Sequence, residues 1–441
     1  MKVRHLLNPA LALCTAALIV GCNQASTTPT AQAEAARPTH IMSVPVLAGD
    51  TRETLEARYG GTVTHLDTEF ALVGLDGGKV QAQNLQALAA RGIVVEPNRD
   101  TFKAGALARM GGARSMWAGG ARSMWAGGAR SMWAGGARSM WAGGTYSLVP
   151  ENTTAFKQIR LEAAHLLAPK LGTGVKVAVI DTGIELNHPA FIGSLAPASE
   201  WKDYVGNDAV PEEVGTLGVG GYGHGTAVAG IVLQVAPLAT ILPIRVLDSD
   251  GAGDTDHVAS AISHAVAKGA QVINLSLGST TPSTAIQTAI KAATGKGILV
   301  VASAGNDNAR TITYPAAQAD EGSSGDYSLG VTSVNSSHIK STFANYASDV
   351  ELSAPGENIY TAGPGGLLVA WSGTSMAAPI VAGGLALARG QTLAVPIHDV
   401  TKKMAENGTD PYNNGMNQAY KDKLGKRSLD LEQALKNIVK S

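Results

Sequence analysis

The sequence predicts an α/β protein: a parallel sheet with helices on both faces, preceded by a small α+β unit. Three observations carry that prediction. Short apolar runs rich in β-branched residues recur through residues 145–441, each too short for a helix and without the alternation of a half-exposed strand, as buried parallel strands require. Stretches with helical spacing and terminal glycines separate the later runs. Residues 39–103 hold a separate set of strand and helix patterns. The chain has 441 residues, enough for more than one domain, and its formal net charge of -1 with 16% charged residues excludes nucleic acid as a partner on electrostatic grounds.

From the N-terminus, Lys2, Arg4 and His5 precede LALCTAALIV (11–20), an apolar run too short to span a bilayer comfortably, so this is an export signal. It ends in IVGC (19–22), which resembles the lipobox of bacterial lipoproteins and implies acylation of Cys22; the alternative is an ordinary signal peptide cut nearby. Cys14 and Cys22 are the only cysteines, so no disulfide framework exists downstream. Residues 1–22 are thus assigned as a lipoprotein-type signal peptide. The polar stretch 23–38 suits a disordered tether.

Within 39–103, IMSVPVL (41–47) reads as a strand, 50–60 as a helix, 62–75 as two strands, 79–92 as a helix and IVVEPN (93–98) as a strand. That order is the split βαβ, ferredoxin-like arrangement. Residues 104–144 follow as a linker in which GGARSMWA recurs four times from Gly111 to Ala142, with two glycines per unit opposing any continuous helix or strand. In 145–441, VKVAVI (175–180), ATILPIRVL (239–247), QVINLSL (271–277) and GILVVASA (297–304) read as parallel strands, with helices at 255–269 and 282–297. In such folds sites gather at the carboxyl ends of the strands.

Three segments carry candidate chemistry. VKVAVI delivers Asp181 at its carboxyl end, in IDTG. GVGGYGHGTAVAGIV (218–232) sets His224 among glycines ahead of an apolar helical run, and WSGTSMAAP (371–379) sets Ser375 before another. Singly, each has an ordinary role: Asp181 closing a turn, His224 solvated at a helix start, Ser375 capping a helix. Gly218, Gly220 and Gly223 fit GxGxxG, but no strand leads into them, so a dinucleotide site is not supported.

Together, Asp181 in DTG, His224 in HGTAVAG and Ser375 in GTSMAAP, in that order, resemble the catalytic motifs of subtilisin-like serine proteases. The resemblance covers about residues 150–440 and implies a catalytic domain at 145–441 that hydrolyses peptide bonds through an acyl-enzyme. Ser375 would be the nucleophile, His224 the base that takes its proton, and Asp181 the carboxylate orienting the imidazole. VVASAGNDN (300–308) resembles the family's oxyanion segment and assigns Asn306 as donor. INLSLGS (273–279) and LDSDGAG (247–253) resemble the edges that pair with an extended substrate, with Ser276, Leu277, Gly278, Ala304, Gly305 and Tyr314 bordering the pocket.

The βαββαβ block at 39–103 looks like a subtilisin-type propeptide, which implies an intramolecular inhibitor. No cofactor is implied for the reaction. Calcium would serve stability only, and the family's strong site lacks its acid here, since Pro189 is followed by Ala190 and Phe191 and GIVLQ runs directly into VAPLATILP. The expected partners are polypeptide substrates, the protein's own propeptide and, before processing, a membrane through a lipid on Cys22. The expected location is the cell envelope, or outside the cell after processing. Two alternatives are an inactive surface lipoprotein using the fold for binding and an aspartic-type peptidase, for which a second DTG-like triplet is missing.

Overall fold

The structure is a computed structural model describing residues 37–82, 85–98, 102–104, 149–216, 218–319, 328–392 and 395–439. The export signal, Cys22, almost all of the tether and the GGARSMWA repeats lie outside the described residues.

The N-terminal unit is an antiparallel sheet in the order Thr62–Leu66, Phe70–Leu75, His40–Pro45, Val95–Pro97. This is the strand order of the split βαβ arrangement. Helix Arg52–Tyr59 starts with a capping box at Thr51 and stops at Gly60, whose φ of 69° only glycine adopts freely. The helix expected at 79–92 is two short helices, Gly77–Ala82 and Leu85–Ala90. Along Phe70–Leu75 every residue is buried, and the two faces have different partners. Ala71, Val73 and Leu75 pack on Leu55, Tyr59 and Leu88 of the unit's own helices, while Phe70 and Leu72 join Ile41 in a core shared with the larger sheet. The continuous apolar run FALVGL follows from burial on both sides.

The larger sheet has nine strands, in the order Gly408–Thr409, Arg427–Leu429, Leu352–Pro355, Ser328–Val334, Leu299–Ser303, Val272–Leu275, Lys176–Asp181, Thr240–Arg245, Lys202–Asp203. All neighbours are parallel except the first pair. The four predicted strands are contiguous in the sheet; the one expected at 175–180 is shifted by one residue to Lys176–Asp181, and the other three are trimmed at both ends. Period-two alternation sends Val177 and Val179 to one face and Ala178 and Ile180 to the other. The first face is covered by helices His224–Val235, Thr374–Gln391, Ile397–Glu406 and Leu431–Val439; the second by Thr255–Ala267 and Thr284–Gly295.

The helix Thr374–Gln391 runs through the interior, and its small residues allow that. A Cβ at Gly383 would lie 2.6 Å from Val235 Cβ, and one at Gly384 would lie 2.5 Å from Leu431 Cδ2. Glycine costs helix propensity but lets the neighbouring helices approach.

The N-terminal unit meets the larger sheet at several points. Phe102–Ala104 lies antiparallel between Leu277–Gly278 and Ala252–Gly253, forming a three-stranded ribbon. Glu96 accepts hydrogen bonds from Ser283 Oγ (3.0 Å) and from the N–H groups of Thr284 (3.0 Å) and Ala285 (2.8 Å), at the start of helix Thr284–Gly295. A carboxylate there satisfies free N–H groups and the helix dipole together. Thr64 Oγ1 donates to Asp256 Oδ1 (2.7 Å), and Lys296 faces Asp67 and Glu69 at 3.3 and 3.6 Å.

Candidate active site

Asp181 ends the strand Lys176–Asp181, and His224 is the first residue of helix His224–Val235. His224 Nδ1 and Asp181 Oδ1 lie 2.7 Å apart, with both side chains fully buried. Such closeness depends on bare backbone behind them: a Cβ at Gly225 would lie 2.0 Å from the Gly183 carbonyl oxygen and 3.2 Å from Asp181 Cβ. Gly223, the residue before the helix, has φ 94°, which turns the chain into it. The edge of the Trp371 indole meets the imidazole at a centroid distance of 5.8 Å and an interplanar angle of 86°. Among the described residues, His224 Nε2 has no hydrogen-bond partner.

Ser375 is not a helix cap. The helix starts at Thr374 with Gly373 in the cap position and no side-chain cap bond, so the start lies six residues ahead of the apolar run and Ser375 sits within the first turn. Pro379 therefore lies inside the helix, where it cannot donate to the carbonyl four residues back. That carbonyl belongs to Ser375, and Ser276 Oγ donates to it instead (2.8 Å). Ser375 Oγ in turn donates to the Ser276 carbonyl (3.2 Å). The two serines tie the helix start to the strand edge, and Asn274 Nδ2 donates to Ser276 Oγ from behind (2.9 Å).

Asn306 Oδ1 accepts from Thr374 N (2.8 Å) and Thr374 Oγ1 (3.1 Å), while Thr374 Oγ1 accepts from Gly305 N (3.0 Å). With its oxygen doubly engaged, the amide presents Nδ2 as a buried donor with no partner among the described residues. Gly305 has φ 99°, and a Cβ there would lie 2.4 Å from Asn345 Nδ2. Ala304 is fully buried, and its carbonyl accepts from Thr313 N (2.9 Å) and Asn345 Nδ2 (3.1 Å). Leu277 and Gly278 form the edge that pairs with Ala104 and Lys103, and a Cβ on Gly278 would lie 2.3 Å from Thr313 Oγ1. Tyr314 exchanges backbone hydrogen bonds with Ser279 at 2.9 and 2.8 Å.

Glu213, which no motif marks, sits beside this pair with 6% exposure. Its Oε1 accepts from Thr182 Oγ1 and, at 3.2 Å each, from the N–H groups of Gly223 and Gly225; its Oε2 accepts from Thr226 Oγ1. Burial, reinforced by the Asp181 carboxylate, pushes the Glu213 carboxyl up to about 7 against the opposing pull of the two threonines and His224. A lone Glu in an irregular loop carries no motif, and its partners Thr182 and Thr226 become visible as partners only in the structure. Among the described residues no group of three His, Cys, Asp or Glu could hold a metal ion, and no helix is long and apolar enough to cross a membrane.

An unpaired imidazole nitrogen, an unpaired amide N–H and a hydroxyl on a helix start are the parts needed for acyl transfer. Comparison with known proteins agrees in kind. Residues 172–420 match the subtilase (peptidase S8) family profile. Thermitase of Thermoactinomyces vulgaris is 38% identical over 253 residues, which span 54% of this chain and 85% of that protein. Subtilisin BL of Lederbergia lenta is 37% identical over 227 residues, 49% of this chain and 77% of that one. A crystal structure of a cold adapted subtilisin-like serine proteinase aligns at 32% identity with a TM-score of 0.49, covering 59% of this chain and 89% of that one.

Proposed function

The chain belongs to the subtilase family and is a subtilisin-like serine protease, and from that premise we propose that it is an exported endopeptidase, made as a proenzyme, that cleaves polypeptides through an acyl-enzyme on Ser375. His224 takes the serine proton through Nε2 and returns it to the leaving amine. Asp181, held at Nδ1, keeps the other nitrogen free to act as a base and stabilises the imidazolium. The attacked carbonyl oxygen becomes an oxyanion met by Asn306 Nδ2 and by backbone N–H groups at the start of helix Thr374–Gln391, with the positive end of the helix dipole behind them. To reach this state, Ser375 Oγ exchanges the Ser276 carbonyl for His224 Nε2.

The observation that carries the reading is the 2.7 Å Asp181–His224 contact with Nε2 left without a partner. Strand addition supports the rest. Phe102–Ala104 fills the slot between Leu277–Gly278 and Ala252–Gly253 as an extended substrate would, so residues 39–103 act as inhibitor until the chain is cut. Cys22 lies on the inhibitor side of that cut, so cleavage between Pro97 and Thr145 frees the catalytic domain from its lipid anchor.

Expression of the full chain and of Ser375→Ala tests this. The wild type is expected to yield a shorter form released from membranes that hydrolyses casein and labels with a fluorophosphonate. The variant is expected to stay full-length, membrane-bound and inert. Identical fragments from both would overturn self-cleavage, and casein hydrolysis by Ser375→Ala would overturn the assignment of the nucleophile.

A further inference from the structure

Glu213 has no part in the chemistry just described, yet it is a buried carboxyl surrounded only by donors. Two of those donors flank His224 directly in sequence, the N–H groups of Gly223 and Gly225. The third is the hydroxyl of Thr182, the residue after Asp181, and the fourth is the hydroxyl of Thr226, in the first turn of the histidine helix. One side chain therefore grips the end of the strand that supplies the carboxylate and the start of the helix that supplies the imidazole. We propose that Glu213 is a positioning residue: its carboxylate clasps these two elements together and so sets the Asp181–His224 geometry on which turnover depends. The proposal rests on the reading of Asp181 and His224 as base and orienter.

The hydrogen-bond inventory shows which form of Glu213 does this. Thr182 Oγ1 already accepts from Gly225 N (2.9 Å), and Thr226 Oγ1 already accepts from Glu185 N (2.8 Å). Each hydroxyl has one proton, and each points it at Glu213. Four donors on two carboxylate oxygens form a complete set. A proton on Glu213 would have to be accepted by one of the threonine oxygens, whose own proton would then lose its acceptor in a buried site, so protonation costs the clasp a hydrogen bond and loosens it. The two further ties between these segments, from Gly225 N to Thr182 Oγ1 and from Glu185 N to Thr226 Oγ1, both run through the hydroxyls that donate to Glu213; Asp181 Oδ1 also takes Thr182 N (2.7 Å), and Oδ2 has no partner among the described residues.

The titratable groups facing Glu213 are Asp181 at the strand end and His224 at the helix start. Tyr222 lies near it in the same loop, with Glu185 and Glu212 further round. Glu212 Oε2 accepts from Leu186 N and Glu185 Oε2 from Gly366 N, both at 3.2 Å, so neither carboxylate shares a donor with Glu213. Burial holds the Glu213 carboxyl up to about 7, so this group changes its charge within the range of the assay below. Loss of that proton closes the clasp, so kcat falls more steeply toward acid pH with Glu213 present than with a side chain that does not ionise in its place.

The test uses protein expressed as the full chain and allowed to process, assayed on a chromogenic peptide from pH 5 to 9 with active sites counted by fluorophosphonate. Glu213→Gln keeps the shape but puts an amide N–H among donors. It is expected to lower kcat at least tenfold at pH 8.5, to leave KM within twofold, and to make the acid limb of log kcat shallower than that of the wild type. A kcat within twofold of wild type with an unchanged limb would overturn the proposal. Should Glu213→Gln not fold, Glu213→Asp decides: a kcat within twofold of wild type from a carboxylate one methylene too short to reach both elements overturns the clasp while leaving the serine mechanism standing. A wild type inert to both peptide and fluorophosphonate would overturn the mechanism and the clasp together.

Discussion

The catalytic cluster and the junction with the N-terminal unit are made of the same materials, buried carboxylates and short stretches of backbone pairing, but are assembled to opposite effect. In the cluster, Asp181, His224 and Ser375 have no exposed surface, and Glu213 alone accepts four hydrogen bonds from two neighbouring segments. Removing any one bond there leaves a buried polar group unsatisfied, which costs more than the bond itself contributes. At the junction, the ribbon uses strands of two and three residues, Glu96 is only half-buried, and the Lys296 pairs face solvent. Losses at these polar contacts are refilled by water. The lesson is that the fold fixes the site permanently and attaches its N-terminal unit by contacts that can be undone.

Substitutions at the site should therefore have large effects on turnover and small ones on structure. Asn306→Ala deletes the unpartnered Nδ2 while also removing the acceptor for Thr374 N and Oγ1. The expected loss in kcat is roughly 100- to 1000-fold, the range known from removing such a donor in subtilisin itself, with KM little changed because the donor acts on charge that develops in the transition state. Steady-state kinetics on a chromogenic peptide measure it. A loss expressed mainly in KM would mean that Asn306 serves ground-state binding, and the contrast between a fixed site and a detachable unit would blur.

How much of this was legible follows the same division. The four apolar strand runs and the helices at 255–269 and 282–297 were readable because continuous β-branched stretches and helical spacing reflect burial directly. Ser328–Val334 and Leu352–Pro355 were not, since SLGVTSV and LSAP mix small polar residues with apolar ones; Thr332, Ser333 and Ser353 are fully buried in the sheet nonetheless. Asp181, His224 and Ser375 stand in motifs whose neighbours are needed for close approach, as Gly225 shows, so the site left a local trace. Glu213 left none. It acts by reaching four donors brought together by the fold from positions 182, 223, 225 and 226, and a single side chain in an irregular loop has no period or spacing to betray it. The helix start at Thr374 was hidden by Pro379, which reads as a boundary but is tolerated because Ser276 takes over the orphaned carbonyl.

The junction can be graded by two substitutions in the full chain carrying Ser375→Ala, which keeps the N-terminal unit in place for measurement. Glu96→Ala removes the acceptor of three hydrogen bonds at the start of helix Thr284–Gly295. Because that site is half-buried, the expected cost is about 1 to 2 kcal/mol, or roughly 5- to 30-fold faster hydrogen exchange across His40–Pro97, with amides of Lys176–Asp181 unchanged. Lys296→Ala removes contacts with Asp67 and Glu69 at 3.3 and 3.6 Å from a side chain one-third exposed. Solvent-facing pairs of this sort are screened and contribute at most about 1 kcal/mol, so exchange in the same strands should rise no more than about fivefold and the difference should shrink as salt is added. If Lys296→Ala instead matched Glu96→Ala and ignored salt, attraction between exposed charges could not be its cause. The junction would then be held by apolar packing of the lysine stem, and the ranking of helix-start capping above surface pairing would fail.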